Sequence, residues 1–241
     1  MNSCLTSVEV EAHGLASCDN KIPRVLIYGS SGHAKAVIDV VKSSGLYDIV
    51  GLLDDFRNKG EITHGHIILG NNTDLTDLIR KHDIKGIFIG IGDNFQRSLI
   101  YKKIFNIAPQ LIFYKAMHVD GTVDFDVQIG EGTIIMAGVR IGGGSKIGKF
   151  CLLNTNSALG HDSNMDDFSS LAPGVNTGGN CMIGNHTAIC IGATISHRIS
   201  IGDNSVIGAG SVVLHDVPSF KLAYGVPARS KRNRKEGDRY L

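Results

Sequence analysis

Fifteen positions at six-residue spacing run from Ile129 to Val213, and fourteen of them are aliphatic, with Thr177 the exception. Few folds accept such a period. Two residues earlier in nearly every repeat stands a small or β-branched side chain, as in Val127, Thr133, Val139, Ser145 and Cys151, and glycine often follows directly, as in Ile141-Gly142 and Ile147-Gly148. Such a unit is a short strand with two inward side chains, then a corner where glycine eases the turn. Three units close a triangular coil. Coils stack at the ~4.8 Å spacing of hydrogen-bonded strands, so residues 18 apart lie above one another. No insertion interrupts the count between 129 and 213. The pattern predicts a parallel β-helix over 113–217 and a separate C-terminal segment over 218–241, whose basic tail begins near Arg229.

The earlier part of the chain obeys a different rule. Residues 1–22 show no period and read as a mobile tail. From residue 23 to 112, short apolar runs alternate with helical spacing: strands at 24–28, 49–53, 67–69 and 86–91, a helix after Gly32, one capped by Thr73 and running to His82, and one near 95–105. Alternation of this kind implies a small, Rossmann-like parallel sheet, so the fold class is α/β followed by all-β helix. The two periods suggest two separate cores.

Composition narrows the function. A formal net charge of +1 gives no global field toward nucleic acid or an anionic membrane, so neither is expected as a partner. No apolar run approaches the ~20 residues of a membrane span, and Glu9, Glu11 and Asp19 stand where a signal peptide needs an apolar stretch; the expectation is a cytoplasmic protein. The five cysteines (Cys4, Cys18, Cys151, Cys181, Cys190) include no C-x-x-C pair and read as free structural thiols.

The 18-residue stack at one corner contains Gly143, His161, Gly179, His197 and His215. His161 lies two residues beyond the inward Leu159 and therefore points outward. Gly179, one rung above, leaves a notch where a thioester could lie, and Asp162 can orient the ring and raise its basicity. A zinc site would need three converging histidines, whereas this column spaces His161 and His197 by ~10 Å, so no metal is expected. A non-catalytic scaffold would give no reason for a His-Asp corner beneath a glycine. Near the N-terminus, Gly29-Ser30-Ser31-Gly32-His33 ends a strand and opens a helix, an arrangement that favours a phosphate. It is not G-x-G-x-x-G, so a dinucleotide is not indicated.

Several stretches together resemble the hexapeptide acetyltransferases of the sialic-acid O-acetyltransferase and bacillosamine N-acetyltransferase group. They are Leu153-Asn154-Thr155, Gly160-His161-Asp162, Leu171-Ala172-Pro173, Gly178-Gly179-Asn180, the run from Ile207 to Val213, Gly225-Val226-Pro227-Ala228, and at the N-terminal end Ile27 to His33 and Leu53-Asp54-Asp55. The resemblance implies a left-handed coil, a homotrimer with sites between neighbouring helices, and acetyl-CoA as donor. It makes His161 the general base and Asp162 its enhancer. It places Asn154 and Thr155 near the sugar, and Gly29, Ser30, Ser31, Gly32, His33, Asp54 and Asp55 around the nucleotide of a nucleotide-sugar. It assigns Gly179, Ile191, Ala209, Gly210, Pro227 and Arg229 to the coenzyme, the Gly179 amide facing the thioester carbonyl. Some members carry a second histidine just before Ala-Pro; here that position is Ser170. The implied activity is N-acetylation of a nucleotide-linked amino sugar for surface-glycan or glycoprotein assembly, with O-acetylation of a sialic-acid-type sugar as the alternative.

Overall fold

The computed structural model describes residues 21–240; most of the tail expected over 1–22, with Cys4 and Cys18, lies outside the described residues. In chain order come β1 (Arg24–Tyr28), α1 (Gly32–Ser44), β2 (Asp48–Leu53), β3 (Ile62–Thr63), β4 (His66–Gly70), α2 (Leu75–His82), β5 (Gly86–Ile89), α3 (Asn94–Ile107) and β6 (Ile112–Phe113). They form one sheet in the order β3-β4-β2-β1-β5-β6, parallel throughout except for the β3–β4 pair. The chain winds from β1 outward through β2 and β4, then crosses to β5 on the other side of β1. The boundary between β1 and β5 is therefore the switch point, where sheets of this kind hold ligands beyond their carboxyl ends. Gly29 sits there with φ +104°, and a Cβ on it would stand 3.0 Å from the Gly90 oxygen, so conformation and contact both require glycine.

Two local expectations are corrected. The helix ending at His82 is not capped by Thr73: the Asn71 side chain accepts from the Thr73 N–H, and Asp74 returns the bond to the Asn71 N–H. That reciprocal cap draws residues 72–74 into a 3₁₀ turn ahead of α2. The β3–β4 hairpin is additional, turning through His64 and Gly65, both with positive φ.

From Ala116 the chain becomes a triangular prism of two-residue strands in three sheets, and every pairing between these two-residue strands joins residues 18 apart, as Lys146 with Gln128 and Asn164. The first face carries Ile134–Ile135, Leu152–Leu153, Ser170–Leu171, Ala188–Ile189 and Val206–Ile207; the second includes Arg140–Ile141 and Ala158–Leu159; the third includes Lys146–Ile147 and Asn164–Met165. The aliphatic hexad positions point inward as one buried cluster. Some inward hydroxyls bond between coils: the Thr133 Oγ1 donates to the Gly148 oxygen at 2.9 Å and the Thr187 Oγ1 to the Gly202 oxygen at 2.7 Å, while the buried Ser157 hydroxyl has no partner among the described residues.

The corners turn differently from expectation. Left-handed residues stand three beyond each hexad position from Ile129 to Ile207, and many are not glycine: Phe150, Asn156, Asp162, Phe168, Asn180 and His186 have φ between 54° and 58°. The glycine directly after the aliphatic residue serves packing between coils. At Gly130, a Cβ would meet the Gly148 backbone at 2.6 Å.

The prism keeps a core of its own, whereas the clusters of the α/β unit extend onto the outside of the prism. Outward Ile134 and Leu152 on the first face are buried in one cluster with Val37, Val40 and Phe88. Phe150 and Phe168, at the corner between the third and first faces, stack with centroids 5.1 Å apart and join Leu26 and Ile104 in another. The C-terminal segment also takes regular structure. Lys221–Gly225 pairs in parallel with Val206–Ile207, and Ala228–Asn233 folds back on it as an antiparallel strand, so half of the basic tail is a hairpin closing the prism. Cys151 and Cys181 are buried free thiols and Cys190 is partly buried and free.

Candidate active site

His161 and Asp162 lie at the corner between the second and third faces. Asp162 occupies the left-handed position with φ +56°, a conformation that aspartate and asparagine tolerate better than most residues. Its Oδ2 lies 2.7 Å from the His161 Nδ1, and both side chains are mostly exposed. The carboxylate accepts the Nδ1 proton, which leaves the lone pair on Nε2. That nitrogen lies against Gly179: a Cβ there would stand 2.5 Å from Nε2 and 2.7 Å from Cε1. The notch above the imidazole is thus filled by the ring itself. A side chain at Gly179 would collide with the histidine, so the ring itself requires glycine there. The backbone of Gly179 still offers a donor. Two coils below, the Gly143 N–H donates to an Asp124 oxygen at 2.9 Å, whereas the Gly179 N–H has no acceptor among the described residues.

The Gly-rich turn and the acidic pair lie together at the carboxyl edge of the first sheet. Both carboxylates are engaged within the protein. Asp54 Oδ1 accepts from the Phe56 and Arg57 N–H groups at 2.9 and 3.2 Å, and its Oδ2 accepts from the Ser30 hydroxyl. Asp55 accepts from the Tyr28 hydroxyl at 2.6 Å, the Lys103 ammonium at 2.7 Å and the Asn72 side chain at 3.0 Å. Although burial opposes it, these bonds hold the Asp55 carboxyl below its ordinary value. The pair therefore shapes the loop. Ser31 occupies the cap position of α1 without a side-chain cap bond, and no acidic residue stands in the first turn of that helix. Its N-terminus suits an anion.

His33, at the start of α1, is largely buried, and its Nε2 has no hydrogen-bond partner. Burial, with the Arg97 charge as a second cause, holds it down to about 4, so the ring is neutral at pH 7. It lines a crevice of about 600 Å³ between the switch-point loops, the first face and the C-terminal segment. Asn154, Ile191 and Ala209 border the same crevice. Thr155, Ile191 and Ala209 fall in one column on the corner between the first and second faces, with Gly210 beside Ala209 in the left-handed conformation. Pro227 lies in the tip of the terminal hairpin, and Arg229 is the second residue of its return strand, exposed.

The proposed residues thus fall into two groups. The nucleotide loop, Asn154, Thr155, Ile191, Ala209, Gly210, Pro227 and Arg229 are set along the first face, its corner with the second, and the hairpin that extends it. His161, Asp162 and Gly179 are on the next corner.

Several residues escaped sequence reasoning. Arg97, wholly buried in α3, donates to the carbonyls of Phe150, Phe168, Ile91 and Gly92 and to the Asn94 side chain. Tyr240 tucks against Asn94, whose N–H donates to its hydroxyl at 2.9 Å, and Arg234 donates to the Asn204 carbonyl at 3.1 Å. Neither Arg97 nor Tyr240 belongs to a repeat or a motif, so only tertiary contact reveals them.

Residues 24–104 match the PglD N-terminal domain, and residues 180–215 match the bacterial transferase hexapeptide (six repeats). A variant of perosamine N-acetyltransferase from Caulobacter crescentus, solved with CoA and GDP-perosamine, is 30% identical; the match covers 88% of this chain and 99% of that one, with a TM-score of 0.82. The acetyltransferase domain of PglB from Neisseria gonorrhoeae, in complex with acetyl coenzyme A, is 27% identical over 88% of this chain and 100% of that one, TM-score 0.80. WeeI from Acinetobacter baumannii is 25% identical over 86% and 99%, TM-score 0.69.

Proposed function

Since this chain belongs to the hexapeptide-repeat amino-sugar N-acetyltransferases, we propose that it moves an acetyl group from acetyl-CoA to the amine of a nucleotide-linked amino sugar, with His161 as general base. The observation that carries the reading is the seat of the His161 ring, its Nδ1 on Asp162 and its Nε2 over a glycine whose N–H is unclaimed. As the neutral amine attacks the thioester carbon, a C–N bond forms and the amine proton passes to Nε2. The Gly179 N–H donates to the carbonyl oxygen as charge builds on it. The C–S bond then breaks and the proton leaves with the coenzyme thiolate. No metal and no covalent enzyme intermediate take part. Similarity to an enzyme named for N-acetylation of a nucleotide-sugar favours the amine over the hydroxyl of a sialic-acid-type sugar.

The nucleotide-sugar occupies the crevice, its diphosphate at the N-terminus of α1 and its sugar toward Asn154. The coenzyme lies along the corner marked by Ile191, Ala209 and Gly210. Because His161 stands on the next corner, the complete site forms between chains, in a homotrimer where that corner of one prism faces the crevice of its neighbour, a closed ring of like interfaces. Among the described residues no helix is long and apolar enough to cross a membrane, and we place the enzyme in the cytosol. The test is release of free thiol from acetyl-CoA in the presence of UDP- or GDP-linked 4-amino sugars, against free sialic acid as acceptor. Turnover with sialic acid alone would overturn the reading.

A further inference from the structure

The chain does not end at the hairpin. After Asn233 it crosses back toward the α/β unit, and its course is fixed at three points. Arg234 is buried and donates to the Asn204 carbonyl. Its guanidinium lies 5.9 Å from the centre of the Tyr240 ring. Tyr240 in turn accepts the Asn94 N–H and contacts Ser170, itself only 8% exposed. Ser170 has a short side chain, and the space beyond it in the crevice lining is taken by Tyr240 from the C-terminal segment. The strap so held lines the crevice, Arg239 and Tyr240 together with His33 and Asn154. Arg239 is exposed, and among the described residues no carboxylate forms an ion pair with it. An exposed arginine lining the same crevice as His33, in the first turn of α1, suits a phosphate, which its planar fork binds in two places at once.

We propose that the C-terminal strap is part of the acceptor site, with Arg239 holding the diphosphate of the nucleotide-sugar and Tyr240 positioning Arg239 by anchoring the strap on Asn94 and Ser170. This rests on the reading of the crevice as the acceptor site. Phosphates also occur on coenzyme A, but Asn94 and Ser170 tie the strap beside the α/β unit rather than at the hairpin tip. The acceptor is therefore the ligand assigned.

The experiment is steady-state kinetics on the full-length enzyme with each substrate varied. Arg239→Ala removes a charged hydrogen bond from an exposed side chain and should raise the acceptor KM by roughly 10-fold or more, leaving the acetyl-CoA KM and the melting temperature unchanged. Arg239→Lys should recover part of the loss. Tyr240→Phe should raise the acceptor KM in the parent enzyme and add nothing further in the Arg239→Ala background, since an anchor for Arg239 has no effect once Arg239 is gone. An unchanged acceptor KM, an equal rise in the acetyl-CoA KM, or additive effects of the two substitutions would each overturn the strap assignment. Wild-type enzyme inactive on every nucleotide-linked amino sugar would instead overturn the reading beneath it.

Discussion

The Nε of Arg97 donates to the carbonyl oxygen of Phe150 at 2.8 Å, tying α3 to a corner of the prism. The same guanidinium reaches the Phe168 carbonyl at 3.1 Å, one coil higher, and the Gly92 carbonyl at 3.0 Å beside the crevice. One buried cation thus spans both repeat systems and the loop that faces His33. Burial disfavours its charge, and its carbonyl partners compensate.

Arg97→Met should therefore destabilise the protein by about 3 kcal/mol or more, because several buried carbonyls lose their donor at once. Urea unfolding would register this as a lower midpoint. A midpoint equal to wild type would mean that the two halves are held by apolar packing alone.

Gly179→Ala should cost turnover and little stability. Its Cβ would meet the far end of an exposed histidine, which swings aside, and φ at Gly179 is not in the left-handed range. A fall in kcat of roughly 10² would match displacement of the base, and His161→Ala should lose about 10² to 10⁴. Normal kcat in Gly179→Ala would show that the position of the ring does not matter.

His33 makes stability depend on pH in a definite direction. Folding lowers it from 6.5 to about 4, so between those values the unfolded chain binds the extra proton. Stability should be full above pH 6.5 and drain away as pH falls toward 4, by on the order of 3 kcal/mol from this residue. His66 and His186, also lowered by burial, act in the same sense. The difference in urea midpoint between pH 7 and pH 5 should shrink in His33→Asn; an unaltered difference would exonerate His33.

A site shared between chains can be complemented. His161→Ala and His33→Ala should each be nearly inactive, yet co-expression should restore about a quarter of wild-type sites, those combining an intact corner with an intact crevice. Light scattering should give about three times the 25.8 kDa chain mass. A monomer, or mixed variants as inactive as either parent, would put the whole site within one chain.

The coil was legible because burial imposes it at every sixth residue, so one count predicts every rung and puts His161 outward, one coil below Gly179. What filled the space between them was not legible, since spacing fixes which residues stack but not how a ring turns toward an empty position. Corner conformation was misread for a similar reason: glycine after Ile141 or Ile147 looks like a turn residue, yet its need comes from the coil above, a contact distant in sequence. Asp54 and Asp55 were correctly set at the edge of the sheet, but the groups that claim their oxygens come from elsewhere in the chain, Tyr28 and Ser30 from the end of β1 and Lys103 from α3. The strap was hidden because a basic tail has no period, and Tyr240 acquires its meaning only from Asn94 and Ser170.

The uninterrupted coil also makes the prism a ruler. Each rung adds 18 residues and about 4.8 Å of height, so the level of the terminal hairpin above His161 is set by an integer. A chain shortened by one full rung between Gly179 and the hairpin would keep every inward contact type and every corner, yet lower the hairpin by one step relative to the histidine. Reach along the prism is thus quantised: the height of the hairpin above the His161 corner can change only in whole steps, while changes at the corners leave that distance untouched.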